Sequence, residues 1–322
     1  MTITTLQSQT SSASAERDLA YRIEIDGLRA LAVLAVIANH YHASLLPLGY
    51  LGVDVFFVIS GFVIAGALAG RTDESLCAFL AVFYARRVKR LLPALMLCVA
   101  VTALLTAFFV PMPDRYLKTG FFALFGLSNL WLFRQSSDYF ADSTALNPFT
   151  HTWSLGVEEQ FYFVFPLLVW TVTRFLGVRS VVWAVAALLV VSALSWGWAA
   201  VNEPIAAFYL PVFRFWEIGL GAGLFLLGVE IKGRVARHAA TLKVLCLAGQ
   251  IVLMAGLVPV GRELALMLVV VLSGVLVMLT GPEAAPPCVL RARGAVYLGR
   301  LSYSLYLWHW PVMVLFAWAV GF

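Results

Sequence analysis

Residues 51–70 read LGVDVFFVISGFVIAGALAG, a run of twenty residues in which Asp54 is the single charged side chain. A helix of about 20 apolar residues is long enough to cross the roughly 30 Å hydrocarbon core of a bilayer. The polar sequence RTDES follows directly at residues 71–75. We therefore expect residues 51–70 to form a membrane-spanning α-helix, and the fold depends on how many similar runs the chain holds.

The rest of the chain has the same character. Of its 322 residues, 62% are hydrophobic and 12% are charged, whereas a soluble domain is about half apolar and a quarter charged. This composition excludes an ordinary soluble domain and predicts an all-α polytopic membrane protein. Together with residues 51–70, the candidate spans lie near 30–47, 91–111, 155–174, 181–201, 205–228, 243–259, 264–281 and 301–320.

The N-terminal segment does not read as a signal peptide, and the cysteines do not read as a disulfide or metal pattern. Residues 1–20 are rich in Ser and Thr and lack the basic region and apolar core of a signal peptide. We expect them to form a disordered cytoplasmic tail, followed by one membrane domain over residues 21–322. The four cysteines show no CxxC spacing, so neither a disulfide framework nor a metal site is predicted.

A further apolar run at 119–134 is short for a crossing, because about 15 helical residues span only about 22 Å. If it does not cross and the N-terminus is cytoplasmic, most basic residues fall in cytoplasmic loops, as the positive-inside rule requires. Nine crossings and one re-entrant segment are therefore predicted. The basic residues on the inner side are then Arg71, Arg86, Arg87, Lys89, Arg90, Arg174, Arg179, Lys232, Arg234, Arg237, Lys243, Arg291, Arg293 and Arg300.

Ionisable side chains inside spans are costly and are therefore functional candidates. Arg29 and His40 are eleven residues apart in the first span, which places them on one helix face about 16 Å apart. We interpret Arg29 as a group that holds the polar part of a cofactor, and His40 as the group at the reacting centre. The alternatives are a topological anchor and a hydrogen-bonded core histidine. Asp54 could orient His40 or balance its charge, and a triad of Asp54, His40 and Ser60 is also conceivable.

Two further segments carry polar groups. Arg87 and Arg90, three residues apart in the predicted loop FYARRVKRLLPAL, could share one face and grip a phosphate; lipid anchoring is the alternative. The segment HTWSLGVEEQFY should bring His151, Trp153, Ser154, Glu158 and Glu159 to the outer mouth of the fourth span as a sugar-binding or acid/base surface. A solvated helix cap that begins at Ser154 is the alternative there.

The later spans hold three more ionisable side chains. In PVFRFWEIGLGAG, Arg214 and Glu217 are three residues apart and can pair with each other. His309 lies between two tryptophans in LGRLSYSLYLWHWPV, within an otherwise apolar helix.

Taken together, these strings resemble membrane acyltransferase family 3, which includes O-acetylases of O-antigen and other surface glycans. The matching motifs run in order from about residue 22 to 322: DGLRALAVLAVIANH, GVDVFFVISGF, RRVKRLLPA, HTWSLGVEEQFY, FRFWEIGLG and SYSLYLWHWP. The resemblance implies a ten-helix acyltransferase domain with His40 as the essential imidazole and with Arg29, Arg87 and Arg90 serving acyl-CoA. Family members usually continue past the LWHWP helix, so a further span beyond Phe322 is expected.

The function expected from this resemblance is transfer of an acyl group, most simply acetyl, from cytoplasmic acyl-CoA to a hydroxyl of an extracytoplasmic carbohydrate or glycolipid. The enzyme would lie in the bacterial inner membrane and use acyl-CoA as donor substrate with no bound cofactor. Asp54 and Glu158 are the expected tuning partners of His40, which would act as a general base or an acyl carrier. A multi-span transporter or an export scaffold for a glycan precursor is the competing class.

Overall fold

The computed structural model describes residues 22–69, 75–137, 146–235, 238–280 and 288–321. Every regular element in these ranges is helical, so the predicted all-α class is confirmed for the described part of the chain; the predicted tail at residues 1–20 lies outside it. The α-helices are α1 Ile23–Tyr41, α2 Gly52–Leu68, α3 Leu76–Phe109, α4 Pro113–Ala123, α5 Ser128–Ser136, α6 Trp153–Leu176, α7 Val178–Asn202, α8 Pro204–Tyr209, α9 Phe215–Val235, α10 Ala239–Met254, α11 Arg262–Leu279, α12 Cys288–Arg291 and α13 Arg293–Val320.

Among the described residues, four helical segments are both long and apolar enough to cross a membrane. They are Gly49–Leu68, Leu76–Phe109, Val178–Asn202 and Arg262–Leu279. Helix α3 has 34 residues, which corresponds to about 51 Å. It begins well before the predicted span at 91–111, so Arg87 and Arg90 lie within a helix and the predicted loop at this position is wrong.

Two apolar runs are divided where the sequence suggested one element. The run at 119–134 is split between α4 and α5, and the chain turns between them at Gly126, whose φ of 66° favours glycine. Their 11 and 9 residues are each fewer than the roughly 20 that a crossing helix needs. The run at 205–228 is split into α8, a 3₁₀ turn at Pro211–Phe213 and α9, so the prediction of one continuous span there is wrong.

Helix α2 lies at the centre of the bundle and packs most closely against α9. A Cβ atom on Gly61 would collide with the carbonyl oxygen of Ile218, and one on Gly221 with that of Val58. Small residues let two backbones approach in this way in membrane proteins. The glycines therefore bring Asp54 on α2 close to the start of α9.

Two prolines inside helices leave carbonyl groups that a neighbouring helix satisfies. A helical proline cannot donate to the carbonyl four residues earlier, which frees Tyr162 before Pro166 and Leu307 before Pro311. The Tyr84 hydroxyl donates to the Tyr162 carbonyl at 3.2 Å, and the Cys98 thiol donates to that of Leu307 at 3.3 Å. These bonds attach α3 to α6 and to α13, the helices that hold most of the candidate site.

Candidate active site

A cavity of about 250 Å³ opens between α1, α2, α3, α6 and α13. Its polar lining combines guanidinium, carboxyl and hydroxyl groups, whereas most of the remaining lining is apolar or aromatic. Such a mixture is typical of a small-molecule site, where apolar walls surround a few polar groups. The polar lining residues are Arg29, Ser60, Arg86, Arg87, Arg90, Ser154, Glu158, Glu159, Tyr162, Ser302, Tyr303 and Tyr306.

The basic part of the cavity combines residues of α1 and α3. The Arg87 guanidinium lies 3.5 Å from the ring centroid of Tyr162 and 4.8 Å from that of Phe83, a cation–π arrangement that fixes its position. Arg29 donates to the Asp26 carboxylate at 3.2 Å. Arg90 lines the same cavity and is exposed. The structure thus brings together the three arginines that the sequence suggested for a phosphorylated donor.

Glu158 lies in the cavity wall next to this basic part. Ser60 donates to its Oε1 at 2.6 Å, and the Tyr162 hydroxyl lies 3.2 Å from its Oε2 and 3.0 Å from the Ser60 oxygen. Within the described part of the chain, the hydrogen bonds of Glu158 go to these two residues. The expected direct tuning of His40 by Glu158 is therefore absent from this arrangement, although Glu158 and Glu159 both face the cavity.

The partner of His40 is another histidine. The Nδ1 atom of His40 lies 2.9 Å from Nε2 of His309, and the two rings meet edge to edge and nearly in one plane, with centroids 5.2 Å apart and planes 7° apart. Trp310 packs edge-on to His40 at 4.7 Å. His151 lies on the other side of His309, with ring centroids 5.8 Å apart. Three of the five histidines of the chain thus form one cluster, called here the histidine cluster: His40, His151 and His309.

Tyr306 connects the cavity with the histidine cluster. It lines the cavity, and its ring centroid lies 5.3 Å from that of His309. Its hydroxyl lies 2.7 Å from the Ser154 oxygen and donates to the His151 carbonyl at 3.0 Å. Helix α6 begins at Trp153, so Ser154 lies in its first turn, and the Ser154 hydroxyl is hydrogen-bonded to Tyr306. The alternative of a helix cap that begins at Ser154 is therefore wrong.

The cavity has two distinct ends. Ser154, beside Tyr306, and Tyr162, beneath Arg87, are eight residues apart on α6, which corresponds to about 12 Å along the helix axis. The arginines therefore lie toward one end and the histidine cluster behind the other. This separation is similar to the distance of about 16 Å that the helical spacing of Arg29 and His40 predicts.

Asp54 does not pair with His40, which corrects that expectation. Its Oδ1 accepts a hydrogen bond from Arg214 Nη2 at 2.5 Å, and Arg214 Nη1 lies 3.2 Å from Glu217. Arg214 and Glu217 are thus paired, which is one of the alternatives that their spacing left open. All three side chains are at most 4% exposed, so we call Asp54, Arg214 and Glu217 the buried ion cluster.

Trp153 covers the buried ion cluster instead of presenting a sugar-binding surface. It is 7% exposed, and the Arg214 guanidinium lies 5.5 Å from its ring centroid. An aromatic face over a desolvated guanidinium helps to stabilise the charge. The residues expected at one outer surface therefore lie in two places. Trp153 packs over the buried ion cluster, whereas Ser154, Glu158 and Glu159 face the cavity.

Sequence reasoning missed several residues around the site. Tyr306 and Tyr162 were not singled out, although each lies one helical turn from a candidate, Tyr306 three residues before His309 and Tyr162 four residues after Glu158. Glu24 was also missed; it is buried and accepts two hydrogen bonds from Arg291 at 3.0 and 2.6 Å. Helical spacing from the known candidates could have found the tyrosines, but not the partner of Glu24, 267 residues away.

Comparison with known proteins finds relatives named as acetyltransferases and a transacylase. The chain is 31% identical over 315 residues to O-acetyltransferase OatA of Staphylococcus aureus, covering 90% of this chain and 50% of that one. Peptidoglycan O-acetyltransferase OatA of Listeria monocytogenes is 28% identical over 311 residues, covering 92% and 50%. A protein of Komagataeibacter xylinus named as a membrane-bound transacylase, BcsY, is 34% identical over 303 residues, covering 91% and 73%.

The chain thus spans about half the length of the OatA relatives that it matches. No solved structure matches it. A family model described as an acyltransferase domain matches residues 22–321, nearly the whole chain. With its apolar helices and this match, the protein is a multi-pass membrane protein that belongs to the acyltransferase 3 family.

Proposed function

We propose that this protein is a membrane O-acyltransferase that moves an acetyl group from acetyl-CoA to a hydroxyl of an extracytoplasmic carbohydrate or glycolipid. The observation that carries the proposal is the cavity, which has Arg29, Arg87 and Arg90 toward one end and Tyr306, in contact with His309, toward the other. A donor with a phosphorylated handle and a reactive thioester has the same two-ended character. The names of the OatA relatives support the acceptor class.

At the donor end, the arginines would bind the phosphates of CoA. Guanidinium groups form charge-assisted, often bidentate hydrogen bonds with phosphate oxygens. Arg87 is held on the Tyr162 ring, so it is preorganised before the donor arrives. We place this end on the cytoplasmic side, within a topology of nine crossings and a cytoplasmic N-terminus, because acyl-CoA is cytoplasmic and basic loops favour that side.

At the other end, His40 would perform the transfer by one of two routes. As an acyl carrier, its ring nitrogen attacks the thioester carbon, the C–S bond breaks and CoA leaves as the thiolate. The acceptor oxygen then attacks the acyl-imidazole, the C–N bond breaks, and the hydroxyl proton passes to the thiolate through solvent. As a general base, His40 takes the hydroxyl proton while the oxygen attacks the thioester carbon directly. The C–S bond then breaks, CoA leaves as the thiolate, and the proton on His40 passes to that thiolate.

The decisive experiment incubates purified protein in lipid nanodiscs with acetyl-CoA labelled in the acetyl group and a peptidoglycan fragment. Label transferred to the glycan as a base-labile ester, with equimolar CoA release, is the expected result. A transporter or an export scaffold would release no CoA. Absence of acceptor-dependent release with every glycan class tested would reject the proposal.

We expect Arg87→Ala and Arg90→Ala to raise the KM for acetyl-CoA by about 10- to 150-fold each, because a hydrogen bond to a charged group contributes about 1.5–3 kcal/mol. The kcat should fall much less, because these groups lie toward the end of the cavity away from the histidine cluster. Arg262, which is exposed near the other predicted face, supplies the matched control as Arg262→Ala. An unchanged KM in both cavity variants would mean that Arg87 and Arg90 are topological anchors and do not bind acetyl-CoA.

The proposed topology predicts which single cysteines react with an impermeant thiol reagent on intact spheroplasts, in a background without the four native cysteines. Cysteines at Ser137 and Thr144 should be labelled, whereas one at Ala240 should react only after permeabilisation. Ser137 and Ala240 are both exposed, whereas the neighbouring Ala239 is buried. The reverse pattern would mean that the divided run at 119–134 crosses the membrane.

A further inference from the structure

The hydrogen bonds of His309 determine where its proton lies. Its Nδ1 atom is 2.7 Å from the carbonyl oxygen of Tyr306, one turn earlier on α13. A carbonyl oxygen can only accept a hydrogen bond, so Nδ1 of His309 must carry a proton. In a neutral imidazole the other ring nitrogen is then an acceptor. Nε2 of His309 therefore presents a lone pair.

This lone pair is directed at His40 and determines its tautomer in turn. Nε2 of His309 lies 2.9 Å from Nδ1 of His40, and two lone pairs cannot form a hydrogen bond. Nδ1 of His40 must therefore carry the proton and donate it. The remaining nitrogen of His40, Nε2, is then the one with a lone pair available for a proton or an acyl carbon.

We propose that His309 is a positioning residue that holds His40 in the Nδ1–H tautomer and so selects Nε2 as its reactive nitrogen. The inference rests on the proposed function and extends it. In many enzymes a carboxylate orients the catalytic imidazole, and Asp54 was the expected candidate here. Since Asp54 is bound to Arg214, the chain formed by the Tyr306 carbonyl, His309 and His40 takes that place.

The neutral partner suits a desolvated site. A carboxylate next to His40 would add a charge to a region where charges are costly, whereas an imidazole supplies the same acceptor without one. His309 is 8% exposed. When His40 becomes positively charged during transfer, its Nδ1 proton can shift to Nε2 of His309, so the charge is shared between two rings.

The packing of α1 against α13 keeps the two histidines in register. A Cβ atom on Gly299 would collide with the backbone carbonyl of Asp26, so the two helices are in close contact at this point. The hydrogen bond between the nearly coplanar rings, whose planes are 7° apart, and the edge contact of Trp310 with His40 restrict rotation of His40. The pair is therefore preorganised.

The first test compares two substitutions that differ in reach. In His309→Gln the side-chain amide can place an oxygen where Nε2 was, whereas the shorter His309→Asn cannot. We expect His309→Gln to keep kcat within about tenfold and His309→Asn to lower it by about 10²-fold or more, the lower range of a base's contribution. The KM for acetyl-CoA should stay unchanged in both. His42→Gln, at an exposed histidine two residues from His40, is the matched control.

The second test reads the tautomer without relying on activity. Nitrogen-15 NMR of histidine-labelled protein in nanodiscs distinguishes a protonated from an unprotonated ring nitrogen, and His40→Ala identifies the His40 signals. We expect Nδ1–H in the wild type and in His309→Gln, and a mixture of tautomers in His309→Asn. If the wild type transferred no acetyl group, the proposed function would fail, yet this measurement would still test the inference.

Two results would overturn the inference while the proposed function stands. One is a wild-type His40 that carries its proton on Nε2. The other is a His309→Asn protein with wild-type kcat and an unchanged His40 spectrum, which would make His309 an ordinary core histidine.

Discussion

The His40→Ala protein should insert and fold like the wild type and yet lose acetyl transfer by about 10²–10⁴-fold, the contribution of a positioned general base. The loss would be at least as large for an acyl carrier, because the substitution removes the nitrogen that would hold the acyl group. The initial rate of labelled ester formation at saturating acetyl-CoA, normalised to the amount of folded protein, measures the effect.

A matched substitution separates chemistry from folding. His42→Ala removes an exposed imidazole two residues away, whose Nδ1 atom lies 2.8 Å from the Ser44 hydroxyl, and should keep the wild-type rate. Size-exclusion profiles and thermal midpoints should be equal for both variants. A His40→Ala protein that is fully active at equal expression would remove His40 from the mechanism.

The second large effect concerns stability. We expect Arg214→Met to destabilise the protein by about 3–5 kcal/mol, the usual cost of removing one partner of a buried ion pair. The substitution would leave Asp54 and Glu217, at most 3% exposed, without their counter-charge. Because Asp54 is on α2 and Glu217 on α9, two buried acidic groups would then lie across the most closely packed helix pair with no cation between them.

Unfolding in mixed micelles of increasing SDS content measures the change, with Arg262→Met at an exposed arginine as the control. Combining Arg214→Met with Asp54→Asn and Glu217→Gln removes the charges together and should recover a large part of the lost stability. If Arg214→Met alone unfolded at the wild-type midpoint, the buried ion cluster would not contribute to stability, and its role would have to be sought elsewhere.

Local spacing determined a good part of the site from the sequence. Pairing of Arg214 with Glu217 was possible because residues three apart share a helix face, and the structure has the two groups 3.2 Å apart. The same rule grouped Arg87 with Arg90, which line one cavity. Apolar runs longer than about 18 residues predicted membrane helices, whereas the divided runs at 119–134 and 205–228 show that hydropathy does not register a break at a single glycine or turn.

The tertiary structure alone decided which distant groups meet. His309 is 269 residues from His40 and Arg214 is 160 residues from Asp54, so no helical periodicity relates them. From the sequence, Asp54 was as good a partner for His40 as His309, because a desolvated polar group needs a partner but does not specify which one. The sequence therefore determined the helical class, the family and the polar side chains that need a partner inside the bundle. The packing of α2 on α9 and of α1 on α13, set by glycines that allow backbone contact, selected Arg214 for Asp54 and His309 for His40.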